Sequence, residues 1–116
     1  MAIVVLQKTV TKEDIKSARE EYANYIKITV DLAQEIIAIG GEYHADSQKI
    51  FLEEYGSKQK DIWGGGYNII LKKFEVNALV NLRPPENESM DILDPEIRNN
   101  FLELVEEKLS GIESLT

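Results

Sequence analysis

The stretch "GGEYHADSQK", residues 40–49, holds the only histidine of the chain, with Glu42 and Asp46 on either side of it. His44 and Asp46 share one face if the segment is extended. Such an imidazole–carboxylate pair would let Asp46 fix the tautomer of the ring and raise its basicity, which is the chemistry of a general acid or base. The alternative is a polar hairpin tip, since Asp and Ser side chains bond to nearby main chain and so favour turns. One imidazole with a carboxylate two residues on is not a metal-ligand spacing, so no metal is expected.

Two further stretches carry residues suited to binding. In "WGGGYN", Trp63 precedes Gly64, Gly65 and Gly66. Three glycines let a backbone approach a ligand or present its amides to an anion, and equally mark a bulge or crossing point beside a core tryptophan. The pattern is neither a dinucleotide fingerprint nor a phosphate loop. In "KFEVNALVNLRP", alternation puts Phe74, Val76, Ala78, Val80 and Leu82 toward a core. The other face then carries Asn77, Asn81 and, at the strand end, Arg83. Asparagine is depleted in strands, so this face reads either as a patch of fixed donors or as an ordinary solvent-facing strand. No nucleophile elbow, zinc-protease motif or paired-carboxylate spacing is present, and no cofactor is expected.

The elements that must position these residues follow from period and punctuation. "AIVVLQ" reads as a short, continuously apolar strand, central in a sheet. In "TVTKEDIKSAREEYAN", Thr11 and Asp14 form an approximate capping box, and Ile15, Ala18 and Tyr22 give a helical face of three to four turns. "YIKITVDL" alternates strictly and predicts a strand. "EIIAIGG" predicts another, with a helix through "DLAQEIIAIG" as the competing reading. "KIFLEE", "DIWGGGYNII" and "KFEVNALVNL" read as three more strands, the last ended by Pro84. Asp94 as N-cap, Pro95 at the first helical position and Glu96 open a final helix to about Ser110. Ile97, Phe101, Leu104 and Leu109 form its stripe, and Gly111 ends it. Leu102 and Val105 widen its apolar face, which leaves a homodimer open.

The chain is 116 residues long, 43% hydrophobic and 29% charged, which fits a single folded domain spanning 1–116. It has no cysteine, which removes disulfides and thiolate chemistry and fits a cytoplasmic location. The apolar run at residues 2–6 is too short for a signal segment, and no window is long enough to span a membrane. The net charge is −8, with 13 scattered basic residues, so nucleic acid and anionic membranes are not expected as partners.

Taken in order, "IKITVD", "GGEYHAD", "IWGGG", "VNLRP" and "ILDPEIR" resemble a small prokaryotic family known only as a domain of unknown function. The likeness runs from residue 3 to about 109. The segment 71–73 and the apolar "NIIL" at 68–71 depart from its pattern. It implies no activity and no catalytic residue, but it implies that the three stretches above belong to one recurrent arrangement.

The predicted class is α+β: a mostly antiparallel sheet of five to six strands, β-α-β-β-β-β-β-α, with two helices packed on one face. The expected site gathers His44, Asp46, Trp63, Gly64, Gly65, Asn77, Asn81 and Arg83 around one pocket for a small polar or anionic ligand. A small-ligand-binding or protein-interaction module is the leading reading. A small enzyme, with His44 as acid/base and Arg83 as anion clamp, is the alternative. Convergence of His44, Trp63 and Arg83 on one concavity separates them.

Overall fold

The computed structural model describes residues 3–6 and 8–116. Ala2 and Gln7, expected in the first strand, lie outside the described residues. Alternation sets the middle of the molecule. "YIKITVD" forms β2 (Tyr25–Asp31), whose Ile26, Ile28 and Val30 are fully buried. A tight turn, with Glu35 at φ 55°, leads into β3 (Ile36–Gly40). Asp31 organises that turn. Its carboxylate accepts from the main-chain N–H groups of Ala33 (2.9 Å) and Gln34 (3.1 Å) and from Gln34 Nε2 (2.9 Å), so a buried charge is fully bonded.

The sheet has five strands in the order β1-β3-β2-β4-β5, every pair antiparallel, where β1 is Ile3–Leu6, β4 is Ile62–Asn68 and β5 is Lys73–Glu75. The α+β class and the antiparallel sheet are therefore as the sequence predicts. The first strand lies at an edge and not at the centre. Its unbroken apolarity arises because both of its faces are covered: Val4 and Leu6 join the larger core, while Ile3 and Val5 pack on a smaller cluster of Ala38, Phe51 and Ile62.

The two expected helices do pack on one face. α1 (Lys12–Ala18) carries the full Thr11–Asp14 capping box and contributes Ile15 and Ala18 to the larger core. It is two turns long, shorter than the three to four predicted. Arg19 folds back onto the Ala23 carbonyl (2.8 Å), and Tyr22 leaves the helical face. α3 (Pro95–Lys108) buries Phe101, Leu104 and Val105, and a last short helix, α4 (Ile112–Leu115), follows Gly111 at φ 87°. Val105 is fully buried and Leu102 packs against the core, so the broad apolar face of α3 is spent inside the molecule.

Two predicted strands are corrected. "KIFLEE" belongs to an unexpected helix, α2 (His44–Glu54), which packs on the opposite face of the sheet. Its buried stripe is His44, Ser47 and Phe51, spaced as one helix face but two-thirds polar, and so invisible to hydrophobic periodicity. The "HADSQ" stretch is accordingly the start of a helix and not a hairpin tip. In "KFEVNALVNL" only Lys73–Glu75 is strand, and residues Leu79–Asn81 form a 3₁₀ turn.

At the other end of the chain, Asp94 Oδ1 accepts from Glu96 N–H (2.9 Å) and Ile97 N–H (3.2 Å), the cap geometry that the sequence implies. Replacing Asp94 with Ala should cost about 1 kcal/mol of stability in chemical denaturation, without a change in the folded spectrum.

Candidate functional site

His44 is the first residue of α2, and its ring lies on the glycine run of β4. The side chain is 8% exposed, and a Cβ placed on Gly64 would come within 2.9 Å of its Cδ2. The absence of a side chain at Gly64 is what admits the imidazole. His44 Nε2 stands 2.7 Å from the Gly65 carbonyl oxygen. A carbonyl can only accept, so Nε2 carries the proton and Nδ1 keeps a lone pair. The ring is not bonded to Asp46, because residues two apart on a helix point to different sides.

Burial is the main force on the titration of His44. Desolvation lowers its pKa, the nearby Lys27 ammonium lowers it further, and the Gly65 bond opposes both, leaving a value of about 4. The imidazole is neutral at neutral pH.

His44 lines a cleft of about 490 Å³ between the start of α2, the polar face of β2 and the segment 77–80. Tyr25, Lys27 and Tyr43 stand beside it, with Asn77, Leu79, Val80 and Met90 opposite. Lys27 is the only charged side chain in this lining. Its Nζ lies 4.9 Å from the ring centre of Tyr22 and 5.8 Å from that of Tyr25, and among the described residues it forms no ion pair. The Tyr25 hydroxyl sits against Gly66, and burial together with Glu75 pushes its pKa up to about 12. The α2 N-terminus adds main-chain N–H groups, since Tyr43 supplies no side-chain cap.

Asn81 is fully buried and contacts main chain. Its Oδ1 accepts from Gly64 N–H (2.8 Å), and its Nδ2 donates to the carbonyls of Gly64 (2.8 Å) and Met90 (3.0 Å). Asn87, also buried, donates from Nδ2 to the carbonyls of Asn81, Ser89 and Asp91, tying the 81–91 loop to itself.

Trp63 and Arg83 lie elsewhere. Successive strand residues point to opposite faces, so Trp63 joins the larger core while Gly64 faces His44. The Arg83 guanidinium is 4.1 Å from the Trp63 ring centre and donates to the carbonyls of Gln59, Ile62 and Val80. Together they line a second cavity of about 570 Å³ with Asp94 and Ile97. The expected single pocket is thus two. His44 and Asn77 share one, Trp63 and Arg83 share the other, and Asn81 forms the wall between strand and loop. Lys27, Tyr25 and Tyr43 escaped sequence reasoning because an alternating strand or a loop carries such residues at no cost.

Two measurements test this geometry. Replacing Asn81 with Ala leaves a buried N–H and C=O of Gly64 without partners, and should cost about 3 kcal/mol in denaturant unfolding. For His44, the folded pKa lies below the unfolded value of about 6.5. The unfolded chain therefore takes up the proton first as pH falls. Stability from the neutral ring is complete above about pH 6.5 and lost on the way down to about pH 4, with a total on the order of 3 kcal/mol. A His44→Gln variant should lack this slope between pH 6.5 and 5 in denaturation curves.

Comparison with known families matches residues 4–108 to the family described as "Protein of unknown function (DUF5674)". Neither curated proteins nor solved structures gave a match. The matched span takes in β2, α2, the glycine strand, the Asn81 turn and α3, that is, every element that builds the two cavities. The chain belongs to the DUF5674 family of proteins of unknown function.

Proposed function

We propose that the protein is a binding module whose cleft at the start of α2 seats an anionic group on Lys27. One observation carries this reading: in a chain of net charge −8, the cleft is lined by a single charge, which is positive and has no carboxylate partner among the described residues. The N–H groups of His44 and Ala45 in the first turn of α2 reinforce it by presenting partial positive charge at the same place, that of Asp46 being bonded to the Tyr43 carbonyl. Neutral His44 offers a lone pair at Nδ1 to a donor on the ligand, and Leu79, Val80 and Met90 offer apolar surface. The anion-holding role passes from Arg83, whose terminal nitrogens are engaged with main-chain carbonyls, to Lys27.

Catalysis by His44 is the second reading, favoured by a perturbed titratable group in a cleft. Binding is preferred because an imidazole with a pKa of about 4 is a weak base at neutral pH, far from the matched value that general-base chemistry uses. We also place the protein in the cytoplasm, a reading supported by its cysteine-free composition. Among the described residues no helix is long and apolar enough to cross a membrane.

The single imidazole is its own reporter. Titrating inorganic phosphate or acetate into the protein should move the His44 ring signals and raise its pKa, because a nearby negative charge favours the protonated ring. Lys27→Met should also raise that pKa in the free protein and weaken anion binding about tenfold, the loss of one charge-assisted hydrogen bond. Ring signals that ignore both anions at millimolar concentration, or that respond equally in Lys27→Met, would refute the reading.

A further inference from the structure

The cleft does not end at Lys27. A groove of about 510 Å³ lies beyond Tyr25, which lines both openings, and Tyr22 on its wall carries the Lys27 ammonium over its ring. Nine large hydrophobic side chains are exposed among the described residues, and six of them line these two openings. Tyr22, Ile70 and Leu71 border the groove; Tyr43, Leu79 and Met90 border the cleft. Scattered exposed hydrophobics need no explanation, but a concentration of them at one end of a molecule marks a surface that another molecule covers.

The turn that presents Ile70 and Leu71 is held in place. Asn68 Oδ1 accepts from Leu71 N–H (2.9 Å), and Ile69 N–H donates to the Asn24 carbonyl across the groove floor (3.0 Å). Ile70 is 67% exposed and Leu71 58%, so the sequence spends two large apolar residues on a fixed, solvent-facing tip. A small anion on Lys27 would leave all of this surface in water.

We propose that the occupant is a protein segment: a peptide with large apolar side chains and a carboxylate, lying across both openings with the carboxylate on Lys27. The proposal rests on the reading of Lys27 as the anion seat. Charge complementarity selects the carboxylate and its place, since Lys27 is the one charge of the cleft while Glu21 on the groove wall leaves that second opening to the apolar side chains. Extent selects a chain over a small molecule, since the apolar surface continues through two openings that share Tyr25. The carboxylate is either an Asp or Glu side chain or a free C-terminus.

A synthetic peptide library, made once with free and once with amidated C-termini, tests this on the full chain. Binders should carry at least two large apolar residues next to an acidic residue, or next to a free C-terminus that amidation abolishes. An Ile70→Ser/Leu71→Ser variant, altered at exposed positions that leave the core intact, should weaken the selected peptides about tenfold or more, and Lys27→Met comparably. Binders indifferent to both variants would overturn the proposal. So would a library without binders when phosphate or acetate still moves the His44 signals, an outcome that keeps the anion seat and removes the peptide. If neither anions nor peptides bind, both readings fall.

Discussion

The carboxamide of Asn81 stands in for a missing strand. β5 pairs with β4 only at Gly66, Tyr67 and Asn68. Two residues back, on the same edge, Gly64 has its N–H and C=O buried with no neighbouring strand to meet them. Asn81 answers both with one side chain, and Arg83 takes the Ile62 carbonyl one step further along. A buried main-chain pair must be bonded, so the loop is obliged to turn inward at Asn81. That inward turn stands Ala78 and Val80 against Gly64, within 2.9 Å of where a Cβ would be, and makes them one wall of the cleft. The cleft is a by-product of completing an edge.

The same substitution explains what the sequence could and could not reveal. β2 was legible because its apolar residues alternate, β3 because it is a short unbroken apolar run ended by glycine, and α3 because Asp94 and Pro95 are read from local rules that tertiary context does not alter. The alternation of Phe74, Val76, Ala78, Val80 and Leu82 was misleading. It runs on through a turn, where Val76 and Ala78 are buried but Leu82 is exposed. α2 was missed because its inward stripe includes a histidine and a serine. The glycine run was legible as a point of close approach, and the group that approaches it is the His44 ring. The role of Asn81 was not legible, since an asparagine that replaces a strand has no mark in one dimension.

Electrostatically the cleft runs against its own protein. The chain carries 21 acidic residues, yet the lining of this site contains one lysine and a histidine kept neutral by burial. Holding the imidazole uncharged avoids placing two cations side by side, and leaves Lys27 to act alone. Membership of the DUF5674 family, described only as of unknown function, assigns this cleft no role. The chemistry has to be read from the side chains.

The order of the strands also bears on how the chain is made. Val30 pairs with Ile37 after a short turn but also with Trp63, and β4 in turn waits for Asn81 and Arg83. A nascent chain that has emerged only through β4 owns four of the five strands but lacks the side chains that close its outer edge. For that interval it displays the open ladder of a glycine-rich strand, the surface most prone to pair with a neighbouring chain. The segment from Lys73 to Asn87 ends that exposure, so it covers an open edge before it ever walls a cleft.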